Sequence, residues 1–268
     1  MNLHFAHANA YPPGAYAPLL DDLRRRFAVR AMASRPLWPG SAPGKLHDWH
    51  PLADDLVAYL DKHGARGWVA VGHSLGAILT AEAALRRPEF FRALVLIDPV
   101  IFSRPLMAGW NAARRLGLAR RVHPLIPTAL RRRRVFLSAD EMFERYRRAP
   151  IFRRLSDASL RAYVASVAGP RADGQPGVEL AFSPEWEVAI YESGPLDLLD
   201  KLHLLTLPVL AIRGAESDTF RPWGVRALKQ RLPSAVVRDV PGTGHLVPLE
   251  RPGECATIII EFVEALKG

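Results

Sequence analysis

The five residues Gly72-His73-Ser74-Leu75-Gly76 have the types and spacing of an activated nucleophile. They follow the apolar run 68–71 and open a helical pattern over 75–87, so the serine falls on a strand-to-helix bend. Such a bend lifts the hydroxyl clear of the sheet edge. It is so cramped that side chains two residues before and after would collide, which accounts for both glycines. The amino end of the following helix points at the same place, making the Leu75 N–H a candidate donor to a developing oxyanion. A serine hydroxyl attacks only when a base takes its proton. Among the nine histidines, His245 has the best placement: it closes Pro241-Gly242-Thr243-Gly244-His245, a glycine-rich loop after the last predicted strand. The imidazole in turn needs a carboxylate to fix its tautomer and stabilise its charged form. Asp218, in Ala215-Glu216-Ser217-Asp218, is the first candidate, and Glu216 and Asp98 are its rivals. Asp98 ends the strand that follows the bend, where a turn or helix cap before Pro99 is its ordinary reading.

A second oxyanion donor is expected from the exit of the first strand, His7-Ala8-Asn9-Ala10-Tyr11, with the backbone N–H groups of Asn9 and Ala10 as alternatives. Tyr11, Trp38, His73 and Trp186, the last beside Glu187, are candidate borders of a substrate pocket, although the His73 side chain should point away from Ser74. Most apolar residues of 104–194 are expected to pack that segment on the rest.

These groups must be carried by a frame. Short apolar runs at 3–8, 28–32, 67–71, 92–97, 208–212 and 235–240 read as strands. Helical patterns at 16–27, 52–64, 75–87, 223–232 and 252–266 separate or follow them. Strands divided by helices require right-handed crossovers, hence an α/β fold with a doubly wound, mostly parallel sheet. From 104 to 169 the patterns are helical and no strand is evident. The expected organisation is a core of 1–103 and 195–268 interrupted by a helical cap, or lid, at 104–194.

The 268 residues are 49% apolar and 24% charged, which excludes disordered and collagen-like chains. The single cysteine, Cys255, excludes an intrachain disulfide and a multi-cysteine metal site. No apolar run reaches the roughly 18–20 residues that cross a bilayer, and no basic-then-apolar leader is read at 1–10, so a cytoplasmic protein is expected. The net charge of +9 is local: residues 104–171 hold 16 arginines against four acids. The remainder is slightly acidic. That pattern reads as a solvated cationic face, or more sharply as a docking surface for an anionic substrate, such as a phosphorylated thioester carrier, or for an anionic membrane. Arg131–Arg134 lacks interleaved aromatics and no nucleic-acid motif accompanies it, so nucleic acid is not an expected partner.

With these motifs in hand, the chain resembles the α/β-hydrolase superfamily over essentially its whole length. The bend at Ser74, the Gly214-to-Asp218 loop and the Gly242-Thr243-Gly244-His245 loop stand in family order, and the helical segment sits where a cap usually enters. Two differences stand out. The loop Arg35-Pro36-Leu37-Trp38-Pro39-Gly40 replaces the common Arg-Gly-His-Gly, and Ser217 occupies the usual place of the acid. The resemblance implies cofactor-free, metal-free serine hydrolysis of a carboxylic ester or related acyl bond, a thioester or lactone included, through an acyl-enzyme on Ser74. The same scaffold also serves lyases, cofactor-free haloperoxidases and inactive binding proteins.

Overall fold

The computed structural model describes residues 1–44, 46–194, 196 and 198–266. In chain order the core begins β1 (Asn2–Ala6), α1 (Ala17–Arg24), β2 (Ala28–Met32), α2 (His50–Lys62), β3 (Trp68–His73), α3 (Leu75–Arg86) and β4 (Phe91–Ile97). An insert follows: α4 (Arg104–Arg115), α5 (Ala119–Val122), α6 (Ile126–Leu130), β5 (Val135–Phe136), α7 (Ala139–Arg147), α8 (Asp157–Val167), β6 (Ala168–Pro170), β7 (Val178–Leu180) and α9 (Pro184–Ser193). The core resumes with β8 (Val209–Gly214), α10 (Pro222–Arg231), β9 (Val236–Val240), α11 (Val247–Glu250) and α12 (Pro252–Ala265).

All six expected core strands form one parallel sheet in the order β2-β1-β3-β4-β8-β9. Every residue of β3 and β8 is buried because helices cover both faces, and for that reason these strands read as unbroken apolar runs rather than alternating ones. Successive residues point to opposite faces. Ala70, Leu94 and Leu96 pack with Leu56, Ile78 and Leu228 on the side of α2, α3 and α10. Val69, Val71, Val95 and Ile97 pack with Leu19, Leu23, Ile259 and Val263 on the side of α1 and α12. After β1 the chain moves outward to β2 and then returns to the other flank of β1 with β3. The carboxyl ends of β1 and β3 therefore diverge at a switch point, where parallel sheets open a crevice for ligands.

The insert departs from its all-helical expectation. Residues 135–136, 168–170 and 178–180 form a three-stranded antiparallel sheet, β5-β7-β6. Strands of two and three residues are too short to show a period of two. Serines 103, 138, 156 and 183 each cap a helix, accepting from backbone N–H groups of the first turn, which fixes where α4, α7, α8 and α9 begin. Phe136, Met142, Phe143, Phe152, Leu155 and Tyr163 are buried in the same cluster as Leu3, Phe5 and Tyr16, so this part of the insert packs with the α1 face of the sheet, while Trp186 and Ile190 of α9 are buried in the other cluster. Leu106, Leu116 and Leu125 remain exposed. The expected return to the core at Pro195 lies outside the described residues. No helix among the described residues is long and apolar enough to cross a membrane.

Candidate active site

Four loops meet above the carboxyl edge of the sheet, leaving β1, β3, β4 and β9. The ladder continues past two strand ends to hold them: Ser74 N–H donates to Ile97 C=O at 3.0 Å, and Asp98 N–H donates to Ile212 C=O at 2.7 Å. Ser74 sits at φ 55°, ψ −115°, the strained turn that the two glycines permit. A Cβ on Gly72 would lie 2.3 Å from the Gly76 carbonyl oxygen, and one on Gly76 would lie 2.1 Å from the Ala6 carbonyl oxygen of β1. The second collision is with the neighbouring strand, so Gly76 is what lets α3 start against β1.

His245 reaches this point from the loop after β9. That loop is fixed by Thr243 Oγ1 donating to Val240 C=O at 2.7 Å, Glu216 N–H donating to Thr243 C=O at 2.8 Å and Gly244 N–H donating to Glu250 Oε2 at 2.8 Å. Burial pushes the Glu250 carboxyl up from its ordinary value. His245 Nε2 stands 3.0 Å from Ser74 Oγ, and its Nδ1 stands 2.6 Å from Asp98 Oδ2. Asp98 is wholly buried, and its oxygens also accept from Ser217 Oγ at 2.6 Å and Gly214 N–H at 3.2 Å. With those donors converging on it, the carboxylate leaves His245 to carry its proton on Nδ1 and to present the Nε2 lone pair to the serine.

The carboxylate at the imidazole is thus Asp98 and not Asp218. Asp218 is exposed and accepts from Thr219 Oγ1 at 3.2 Å, while its carbonyl accepts from Arg221 Nε at 2.9 Å. Glu216 is exposed too, paired with Arg154. The reason lies one residue before Asp218. Ser217 takes the inward position, donates to Asp98 and accepts the N–H groups of Thr219 and Phe220 at 3.1 and 3.2 Å, so the tight turn carries Asp218 outward.

The β1 exit forms a hydrogen-bonded turn, with Tyr11 N–H donating to Ala8 C=O at 3.2 Å and Ala10 at φ 62°, the arrangement of a type II turn. Within it, Ala8 N–H is taken by Tyr16 Oη at 3.2 Å. Among the described residues the N–H groups of Asn9 and Ala10 have no protein acceptor, and Leu75 N–H opens α3, where the helix offers none. These are the three donors named from sequence. The Asn9 side chain donates to Glu187 C=O at 3.1 Å, tying the turn to α9. His7 anchors it from below: its Nε2 accepts from Ser34 N–H at 3.1 Å, so its Nδ1–H donates to Ala8 C=O at 2.8 Å. Burial holds the His7 imidazole neutral, with its pKa lowered to about 4.

Among the described residues, the non-glycine positions with positive φ are Ala10, Ser74 and Asp98. Each such residue costs of order 1–3 kcal/mol and persists only where the surroundings impose it. All three lie on the loops that surround Ser74 Oγ.

The remaining candidates divide. Tyr11 is packed on Tyr163 at 5.2 Å between ring centres, next to the turn. Trp186 is buried in the cluster that contains Ala10 and Leu75. Trp38 is 42% exposed, its N–H donating to Ala33 C=O and Arg35 standing over its ring. His73 has no exposed surface, so it cannot border a pocket. As the last residue of β3 it points into the sheet's covered side, where Tyr16 Oη and the His245 carbonyl meet its ring nitrogens at 2.8 and 2.9 Å. Sequence reasoning missed Tyr16, whose partners lie 8 and 57 residues away. It also missed Arg132, read as one of a solvated run. Arg132 turns inward, bonding Glu187 Oε2 at 2.7 Å, Tyr163 Oη at 2.9 Å and Tyr146 Oη at 3.3 Å. Among the described residues no group of three or more His, Cys, Asp or Glu is arranged to hold a metal ion.

A general base on a strained serine, backed by a buried carboxylate and facing two sets of free N–H groups, is equipped for nucleophilic attack on an acyl carbonyl. Comparison with known proteins agrees with this frame. The family model described as the alpha/beta hydrolase family matches residues 5–258. An uncharacterized hydrolase of Bacillus subtilis (strain 168) is 26% identical over 230 residues, covering 82% of this chain and 73% of that one. The crystal structure of E-2-(acetamidomethylene)succinate hydrolase superposes with a TM-score of 0.79 at 22% identity, covering 98% of this chain and 91% of that one. A thermophilic esterase from Thermogutta terrifontis, with malate bound, gives a TM-score of 0.69 at 20% identity over 99% of this chain and 90% of that one. Matched by the family model from the first strand into the last helix, the chain belongs to the α/β-hydrolase family.

Proposed function

We propose that the protein is a serine hydrolase that cleaves a carboxylic ester or related acyl bond. The observation that carries this reading is the unbroken chain Ser74 Oγ–His245 Nε2 at 3.0 Å and His245 Nδ1–Asp98 Oδ2 at 2.6 Å. Ser74 Oγ attacks the carbonyl carbon as its proton passes to His245 Nε2. Asp98 stabilises the imidazolium and stays ionised. The carbonyl oxygen, now negative, is held by Leu75 N–H with Asn9 or Ala10 N–H. His245 then gives its proton to the leaving group, and the acyl group remains on Ser74. A water molecule deprotonated by the same Nε2 attacks the acyl-enzyme and releases the acid. The neighbours described as a hydrolase and an esterase are compatible with this chemistry.

The insert acts as the cap of this site. Its polar contribution stands against Tyr11 of the core: Tyr163, packed on Tyr11, then the Arg132–Glu187 pair, 2.7 Å apart, with the Glu187 carbonyl also accepting from the Asn9 side chain. That wall suits a short acyl group bearing a hydroxyl or carboxylate better than a long alkyl chain. The test is a panel of p-nitrophenyl esters from acetate to palmitate, with a succinate monoester added, assayed on the wild type and on Ser74→Ala. The reading expects short or polar acyl groups to be preferred and Ser74→Ala to be inactive. Hydrolysis that survives in Ser74→Ala, or no hydrolysis of any ester, would reject it.

A further inference from the structure

Tyr16 and His73 are among the buried polar side chains that this mechanism leaves unused, and both are fully enclosed. Their hydrogen bonds allow only one polarity. His73 Nε2 faces a carbonyl oxygen, that of His245, at 2.9 Å, and a carbonyl only accepts, so the proton sits on Nε2. His73 Nδ1 is then an acceptor, and the group it faces at 2.8 Å is the Tyr16 hydroxyl, which must donate. The Tyr16 oxygen in turn accepts Ala8 N–H at 3.2 Å. The protons therefore run in one direction, from Ala8 N–H through Tyr16 and His73 to the carbonyl of His245. Burial keeps both groups in the forms this requires. It pushes the pKa of the Tyr16 phenol well above its ordinary value, so the hydroxyl keeps its proton, and holds that of the His73 imidazole well below its ordinary value, so the ring stays neutral.

The connection spans three loops that the chemistry must keep in register. Ala8 begins the turn that presents Asn9 and Ala10, His73 immediately precedes Ser74, and the accepting carbonyl belongs to His245 itself. The ring of His73 stands 5.1 Å from the ring of His245. A charged His73 there would repel the imidazolium that forms on His245, so its neutrality favours proton uptake by the base.

We propose that Tyr16 and His73 are positioning residues: a one-way hydrogen-bond relay that fixes the main chain of His245 against Ser74 and registers the base loop to the oxyanion turn. This rests on the hydrolase reading above, since it assigns the relay a role through His245. His73→Leu leaves the His245 carbonyl without its donor and the Tyr16 O–H without its acceptor, and displacement of a reacting group by about 1 Å costs on the order of 100-fold. His73→Leu is expected to lower kcat by about 10- to 100-fold with KM changed less than about twofold, the split for a defect in the transition state rather than in binding. Tyr16→Phe is expected to fall between it and wild type. His73→Gln keeps an amide N–H for the His245 carbonyl and should recover most of the loss.

The experiment combines kcat and KM for p-nitrophenyl acetate in these variants with thermal melting and ¹⁵N NMR of the histidine rings in Ser74→Ala. The NMR measurement does not depend on turnover. It is expected to show His73 neutral with its proton on Nε2, and Tyr16→Phe in that background should keep that tautomer, since the His245 carbonyl remains, while shifting the resonance of the Nδ1 left without its donor. Wild-type kcat in folded His73→Leu would overturn the positioning role, as would failure of His73→Gln to exceed His73→Leu. A His73 proton on Nδ1 would overturn the relay. Inactivity of the wild type on every ester would instead defeat the hydrolase reading and the positioning role with it, while the tautomer still decides the relay.

Discussion

Replacing Asp98 by asparagine changes one atom and separates the two acids that a sequence can offer to His245. Three donors converge on the Asp98 oxygens: His245 Nδ1–H and Ser217 Oγ–H at 2.6 Å each, and Gly214 N–H at 3.2 Å. An amide has a single oxygen. If its NH₂ faces His245, the imidazole must move its proton to Nε2 and can no longer accept one from Ser74. If its NH₂ faces Gly214, a buried N–H is left opposite a donor. The first outcome costs kcat about 10³- to 10⁴-fold, the scale for a triad locked in the wrong tautomer. At 1.36 kcal/mol per tenfold this is about 4–5.5 kcal/mol of transition-state stabilisation. The second costs about 1–3 kcal/mol of stability, the penalty of one buried unsatisfied group. Asp218→Asn alters an exposed side chain whose one hydrogen bond among the described residues is from Thr219 Oγ1, at 3.2 Å. Its kcat should stay within about twofold of wild type, since nothing it touches reaches the imidazole. Steady-state hydrolysis of p-nitrophenyl acetate and urea unfolding on both variants supply the comparison. Asp98→Asn retaining more than a tenth of wild-type kcat with no loss of stability, or Asp218→Asn losing more than tenfold, would refute the assignment.

Other expectations concern the buried imidazoles. His4 is fully buried on β1 with neither ring nitrogen paired among the described residues, so His4→Leu should raise stability by about 1–3 kcal/mol in urea unfolding, the penalty of an unmet polar group; a destabilised variant would contradict this. Burial lowers the pKa of His4 to about 3 and of His7 to about 4, and holds His73 well below its ordinary value. All three stay neutral in the fold while they titrate near 6.5 in the unfolded chain. Their contribution is thus complete above pH 6.5 and is lost as pH falls below it, because the unfolded state binds more protons. Near pH 5 the three together should give a slope of about 4 kcal/mol per pH unit, and His4→Leu should remove about a third of it. Urea unfolding at pH 7, 6 and 5 measures both, and a flat profile would be inconsistent with neutral buried histidines.

The sequence made the frame of the molecule legible because its signals are local. Six apolar runs divided by helices imply the sheet, and two glycines around Ser74 imply a bend that only a strand-to-helix junction needs. His245 was found by a glycine-rich loop after the last strand. The acid is left between Asp218, placed first, and its rivals Glu216 and Asp98, for a geometric reason. β4 and β8 are adjacent and in register, Ile97 beside Ile212, so the residues leaving both strands arrive at the same place. Spacing cannot choose between them; the turn at Ser217 does, by taking the inward seat. His73 was misplaced as a pocket border because β3 is covered on both faces, which removes the alternation that would tell inside from outside. Arg132 was hidden in a run of four arginines, where composition does not say which one turns inward. The small sheet of the insert has strands too short to carry a period.

The central claim is that Ser74 is a nucleophile made reactive by His245. The most direct measurement is covalent capture with a fluorophosphonate, read by intact mass and peptide mapping in wild type and in folded His245→Gln. The account expects one adduct per chain, on Ser74, forming far more slowly without the imidazole. No adduct on the folded wild-type protein, an adduct at another residue, or labelling of Ser74 at an unchanged rate in His245→Gln would contradict it.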